Sequence, residues 1–428
     1  VFWRNCPFGI FWALVKNMTQ RQLFKLPSTS HSVAWASAMA FGAQVLFALL
    51  MLKAFTPQDV GQFSVVSQIA FFWMTLSLAQ SPLSLLANAH LSAHVALQTA
   101  WRESCQRAVW LMPLAVGAWW LSGLSGVSTL GWIALLAFCQ MAWGLAQSFV
   151  LRTRAAPQQI AVRVTPPLVA LMAALLAAAW GANAQSLMAS AGLGYAVGAT
   201  WLWRAWRDTT PTPSTATSTA AAPQSDARSP RLRLAHTLAD ALMATAVIVV
   251  WQRLYGAQET GWMSAVLRVF GFIPAVVHMA WAQVMLTSHG QPSAQRLLAL
   301  RLGGLAFLLV FGLGGACALA LQWGWLDARW QGVADYVWPL ALWQGAACVF
   351  AAFSHRPFQT NSAASYSLGC IGVVAIQALT LLLPWAGVTL TAQLHLTLYA
   401  GVSAVGLGAM AWWMQGLTSN SPKHLSTD

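Results

Sequence analysis

Charge is what this sequence has least of. Lys, Arg, Asp and Glu make up 7% of its 428 residues, against roughly 25% in an ordinary soluble domain. So few charges cannot wet the surface of a 46.0 kDa globule. Acidic residues are the rarest, nine against 22 Lys and Arg. The positive excess does not point to nucleic acid, because the basic residues are scattered between apolar runs and never gather with aromatics into a patch. The six cysteines fall singly, with no C-x-x-C pair, which argues against a disulfide frame or a zinc site. No hydrolase triad, phosphate-binding loop or nucleotide fold is written in the chain. No cofactor or metal is expected, therefore, and no transport powered by ATP bound to this chain. Long outer loops are missing as well. The longest, WGWLDARWQGVAD at 323–335, is too short for the catalytic loops of a membrane glycan polymerase, ligase or glycosyltransferase, so an enzyme is not expected.

What is abundant is apolar sequence, at 58% with a mean hydropathy of +0.60. A membrane span needs about 20 mainly apolar residues. Such runs fall near 33–53, 62–86, 107–127, 129–150, 163–181 and 186–206, then near 233–252, 261–286, 297–322, 335–354, 366–386 and 391–415. The expected fold is an all-α polytopic membrane protein of about 12 spans. With the N-terminus cytoplasmic, 18 of the 22 Lys and Arg lie on cytoplasmic segments and helix ends, the bias of the positive-inside rule. Both termini are then cytoplasmic. Tryptophan, with 25 residues, is frequent near the expected helix ends, as interface anchors are. The chain opens on Val1 without a signal-peptide pattern, and Met18 is an alternative start that would leave residues 1–17 outside the natural protein.

Residues 207–232 include DTTPTPSTATSTAAAPQSDARSP, a Pro-, Thr- and Ala-rich segment read as a flexible cytoplasmic linker. It separates an N-terminal lobe at 33–206 from a C-terminal lobe at 233–416, flanked by cytoplasmic segments at 1–32 and 417–428. The lobes share a passage. At an offset of 200, Lys53 meets Arg253, Phe55 meets Tyr255, Gln58 meets Gln258, Asp59 meets Glu259, and Gly61 meets Gly261. Ser64 and Ser264, then Val66 and Val266, continue the match. Both copies end the first span of a lobe, turn at the outer surface and open the second. That is a parallel repeat about an axis along the membrane normal, an arrangement transporters use. Gln68 and its counterpart Arg268 then place a polar group two turns into the second span of each lobe.

At these residues the sequence resembles the polysaccharide transporter family of the multidrug/oligosaccharidyl-lipid/polysaccharide exporter superfamily, which includes Wzx-type O-antigen flippases. The first copy has a basic residue ending the helix and a Gly-containing acidic turn, PQDVGQFS. The second has G-x-x-x-x-G-x-x-x-x-x-x-R-x-x-x-x-x-P, running from Gly256 through Gly261 and Arg268 to Pro274. The first lobe departs from the pattern at LAQSPLSLL, where a glycine-bearing turn is common. The resemblance implies two six-helix bundles around a cavity in the bacterial inner membrane. Its implied cargo is a polyprenyl-diphosphate-linked oligosaccharide, moved from the cytoplasmic to the periplasmic leaflet. Coupling to H+ or Na+ and association with polysaccharide polymerase machinery come with it. A drug exporter of the same superfamily is the alternative. A major-facilitator carrier fits less well, because the segment after the second span lacks that family's basic Gly-Asp-Arg-type loop.

Two readings stand for each polar residue. Arg268 lies about 10 Å below the outer boundary, at 1.5 Å per residue. It either snorkels to the headgroups or faces the cavity and grips a diphosphate. Asp240 is the one acidic residue clearly within an expected span; it is either an ion-coupling carboxylate or the partner of Arg231 or Arg233, with His236 one turn away. Lys53 and Arg253 form either ordinary surface pairs with Asp59 and Glu259 or a phosphate-attracting rim. His90 and His94 stand at i, i+4 on an amphipathic stretch without a third ligand, so metal is not expected. Pro82 and Pro274 are candidate kinks, His278 is read as interfacial, and Gly194-x-x-x-Gly198 reads as helix packing.

Overall fold

The computed structural model describes residues 28–79, 81–87, 91–154, 156–207, 228–281, 285, 292–360 and 362–417. Of the terminal segments expected at 1–32 and 417–428, residues 1–27 and 418–428 lie outside the described residues, as do most of the linker and His90. The first half comprises α1 (Ser28–Ala54), α2 (Pro57–Leu78), a short α3 (Ser81–Ala87), α4 (Ala93–Leu121), α5 (Val127–Thr153), α6 (Ala156–Trp180) and α7 (Ala184–Arg207). The second comprises α8 (Arg228–Val276), α9 (Pro292–Gln322), α10 (Ala334–Phe353), the one-turn α11 (Arg356–Gln359), α12 (Ala363–Leu381) and α13 (Ala392–Gly416). No strand occurs among the described residues.

Eight helical stretches are long and apolar enough to cross a membrane. Their outer faces confirm the solvent they are built for. Leu308 is 66% exposed, Leu379 70% and Val405 74%, large apolar side chains turned outward, where water would penalise them. Exposed Trp120, Trp180, Trp323 and Trp385 mark the ends of α4, α6, α9 and α12, a belt at one level of the molecule. The protein is an all-α, membrane-embedded chain.

The described residues of each expected span are mostly helical, but α4 and α7 are not among the eight stretches, and several boundaries move. The span expected at 62–86 stops at Leu78, and Pro82 opens α3 instead of kinking a longer helix. The cause is local. Arg107 donates to Leu78 O at 3.0 Å and to Ser81 Oγ at 2.7 Å, so a guanidinium satisfies the helix end. Arg152 serves the other end of α3 through Leu85 O (2.8 Å) and Leu91 O (2.6 Å). Arg356 does likewise for the end of α13, through Gln415 O at 3.0 Å and Leu417 O. These cations therefore cap helix C-termini at one end of the bundle, where the macrodipole also favours them. The stretch around His94 is continuous with the next expected span in α4, and His94 contacts Gln98.

Between Leu78 and Ser81, Ala79 adopts φ 43° and ψ −117°, a conformation that suits glycine. It stands where the resembled family commonly carries a glycine-bearing turn. Ala79→Gly is expected to raise stability by about 1 kcal/mol, since relief of a strained non-glycine backbone outweighs the entropy glycine adds to the unfolded chain. Thermal unfolding in detergent would read this as a higher midpoint; a lower one would show that the turn is unstrained.

In the second half the turn is tighter than in the first. α2 opens with Pro57 at its first turn and a reciprocal cap between Thr56 and Asp59. The corresponding passage has no loop at all: α8 breaks only at Gly256, with φ 85° and ψ 179°, a region essentially closed to other residues. Past Pro274 the helix continues as a π-helical turn, Val277–Trp281, the local adjustment a ring without an N–H invites. Gly194 and Gly198 do pack helices. An added Cβ would stand 2.6 Å from Pro166 O at the first and 2.6 Å from the Trp143 ring at the second.

Candidate functional site

The site begins where α2 and the second part of α8 cross. A Cβ on Gly61 would lie 1.9 Å from Ala257 O, and one on Gly261 would lie 1.8 Å from Pro57 O. The two contacts exchange under the offset of 200, so the crossing is two-fold in its chemistry as well as in its letters. Gln58 Nε2 donates to Gln258 Oε1 at 3.1 Å across the same axis. Buried Val60, Val65, Val66, Met263, Ala265 and Val266 complete the seam. Only glycine lets the backbones approach this closely, and the result is a tight seal at this end of the bundle.

Below the seal the helices part around a cavity of about 630 Å³. Gln68 and Arg268 both line it, each reaching into the opposite half. Gln68 Nε2 donates to Thr245 Oγ1 at 3.4 Å. Arg268 Nη2 donates to Ser67 Oγ at 3.1 Å and Ser64 Oγ at 3.4 Å, and the guanidinium stacks 4.7 Å from the Phe63 ring centroid. Among the described residues, no carboxylate is ion-paired with Arg268. Hydroxyls and an aromatic face orient the guanidinium and leave its charge unneutralised.

Asp240 lines the same cavity, and among the described residues its partner is the neighbouring histidine. It pairs with His236 Nε2 at 3.0 Å, one turn back on its own helix; the side chains of Arg231 and Arg233 lie outside the described residues. The His236 ring packs edge-on to Tyr366, centroids 5.5 Å apart. His278 contacts Ser354 Oγ at 3.1 Å and does not line the cavity.

Lys53 and Arg253 do not join this site. Both are exposed at the sealed end, and neither pairs with the neighbouring acid. Asp59 caps α2 and accepts the Ala184 N–H at 2.9 Å, while Glu259 accepts from the Tyr336 hydroxyl. Arg253 instead sits in a separate small pocket with Trp120, Leu121 and Trp385. Capping geometry and a buried tyrosine claim the carboxylates before the exposed cations can, so the expected surface pairs do not form.

Sequence reasoning missed four groups that the fold brings to the cavity: Gln140, Tyr195, Gln344 and Gln377. The three glutamines left a signal as lone carboxamides inside apolar runs, as in FCQMAW, because a polar group at membrane depth needs a reason to be there. Metal-binding clusters of His, Cys, Asp and Glu are absent among the described residues. Comparison of the chain with known protein families, with characterised proteins and with solved structures returned no match. The class the fold and site define is thus an all-α integral membrane protein with a largely apolar cavity, set with a few polar side chains and lined by residues of both halves.

Proposed function

We propose that the protein is a flippase of the bacterial inner membrane, moving a polyprenyl-diphosphate-linked oligosaccharide from the cytoplasmic to the periplasmic leaflet by alternating access. In this reading twelve spans form two six-helix lobes, both termini are cytoplasmic, and the glycine-sealed end is periplasmic. The observation that carries it is the lone guanidinium of Arg268. An arginine at membrane depth costs about 2.5–3.5 kcal/mol on insertion scales, and among the described residues no carboxylate pairs with it to offset that cost. An anionic cargo would, and a planar fork of donors suits a diphosphate. Gln68, at the matching position of the other half, contributes a neutral donor and acceptor to the same grip. The His236–Asp240 pair balances its own charge when His236 is protonated, which suits coupling to an ion. Lys53 and Arg253 serve as an outer rim for the departing phosphates and lie outside the cavity grip.

The aromatic lining of Phe63, Phe71, Trp343 and Phe350 favours one rival, a small-molecule exporter of the same general architecture. A reconstitution separates them. Protein in sealed liposomes should bring radiolabelled polyprenyl-diphosphate glycan to an externally added glycosidase, faster under an imposed H+ or Na+ gradient, and Asp240→Asn should remove the gradient's effect. Export of amphiphilic drugs with no transfer of the glycolipid would establish the rival instead.

A further inference from the structure

We infer that the cavity reads an uncharged, hydroxyl-rich ring beside the phosphates, a neutral or N-acetylated sugar, through the carboxamides of Gln140, Gln344 and Gln377; this rests on the flippase reading. All three glutamines line the cavity, and all are more than nine-tenths buried, at 6%, 8% and 7% exposure. Burying an amide oxygen without a hydrogen bond is costly, yet among the described residues Gln140 Oε1 has no hydrogen-bond partner. Its side chain lies against Tyr195, which is itself within electrostatic reach of Arg268. Gln344 approaches from the opposite side, on α10, near Gly271 of α8. With α8 counted as two helices across its break at Gly256, Gln140 and Gln344 occupy the fourth long helix of their respective halves, so the two amides face the cavity from both lobes. Gln377 is tied to Ser403 Oγ at 2.9 Å, which fixes its orientation.

The chemistry selects the ligand class. A carboxamide offers donors and an acceptor side by side, matching adjacent hydroxyls or an acetamido group, whereas a carboxylate only accepts and an ammonium only donates. Trp343, Phe350 and Tyr195 supply flat faces for the C–H side of a ring. Acidic sugars are disfavoured. Beyond Arg268 the cavity's remaining basic group is His236, already committed to Asp240, so a second anion would be desolvated without a partner.

The test measures affinity of full-length protein in nanodiscs for three probes: undecaprenyl diphosphate alone, the same lipid bearing N-acetylglucosamine, and the same lipid bearing a uronic acid. The N-acetylglucosamine lipid should bind about tenfold tighter than the bare lipid, roughly one net hydrogen bond or more, and the uronic acid lipid no tighter than the bare one. Gln140→Leu and, independently, Gln344→Leu should erase that preference while bare-lipid affinity persists, which also certifies that each variant is folded. Equal affinity for all three probes overturns the inference and leaves the flippase reading standing. So does a preference that survives both substitutions, since the glutamines would then be helix-packing groups. Failure to bind any of the lipids overturns both.

Discussion

Arg268→Ala is expected to slow glycolipid transfer by about a hundredfold while the protein stays folded. Charge-assisted hydrogen bonds contribute about 1.5–3 kcal/mol each, and a hundredfold corresponds to about 2.7 kcal/mol, so losing one or two of them to a phosphate suffices. The fold should survive because Arg268 is held by two serine hydroxyls and a phenyl face, and among the described residues its removal strands no paired carboxylate. Deleting an uncompensated charge from a low-dielectric site is neutral or stabilising, so the unfolding temperature should hold or rise. Arg268→Lys should be intermediate, since an ammonium keeps the charge but loses the bidentate fork. Transfer rate and thermal midpoint measured on the same preparations separate the possibilities. A folded Ala variant with the parental rate would remove the anion-binding role; a variant that melts early would make the guanidinium a structural strut.

Much of this site could be read from the letters, and the limits are physical. The offset repeat pointed to Gly61 with Gly261 and Gln68 with Arg268, because duplicated sequence keeps duplicated roles visible. What the glycines do was hidden: close approach between helices 200 positions apart leaves no local periodicity. The neighbourhood of Asp240 with His236 was legible, because i, i+4 geometry on one helix brings the two side chains together without any tertiary rearrangement. Lys53 and Arg253 matched in sequence but not in service. Their positions face outward at the seal, where the acids near them are already engaged by a helix cap and by Tyr336. The glutamines were passed over since each alone is ordinary, and only the fold gathers them around one volume.

Gly61→Ala and Gly261→Ala should each destabilise the protein by about 3 kcal/mol, the upper end of overpacking costs. The new methyl would meet a backbone oxygen at 1.9 Å or 1.8 Å, and no rotamer change can move a carbonyl out of the way. Ordinary contact begins near 3.4 Å, so the helices must part by about 1.5 Å. That displacement strains the Gln58–Gln258 hydrogen bond and loosens the apolar seam around Val66 and Val266. Because both glycines serve one crossing, the first substitution opens the space the second needs. The double variant should therefore lose markedly less than the sum of the singles, the signature of directly coupled sites. Denaturant or thermal unfolding of the three variants measures the coupling. Cross-linking of Gln58→Cys with Gln258→Cys in a background without other cysteines supplies a geometric readout. Efficient coupling in the parent, reduced by Gly61→Ala, means that the two halves meet at this crossing; strict additivity with unchanged cross-linking would mean that the seal lies elsewhere.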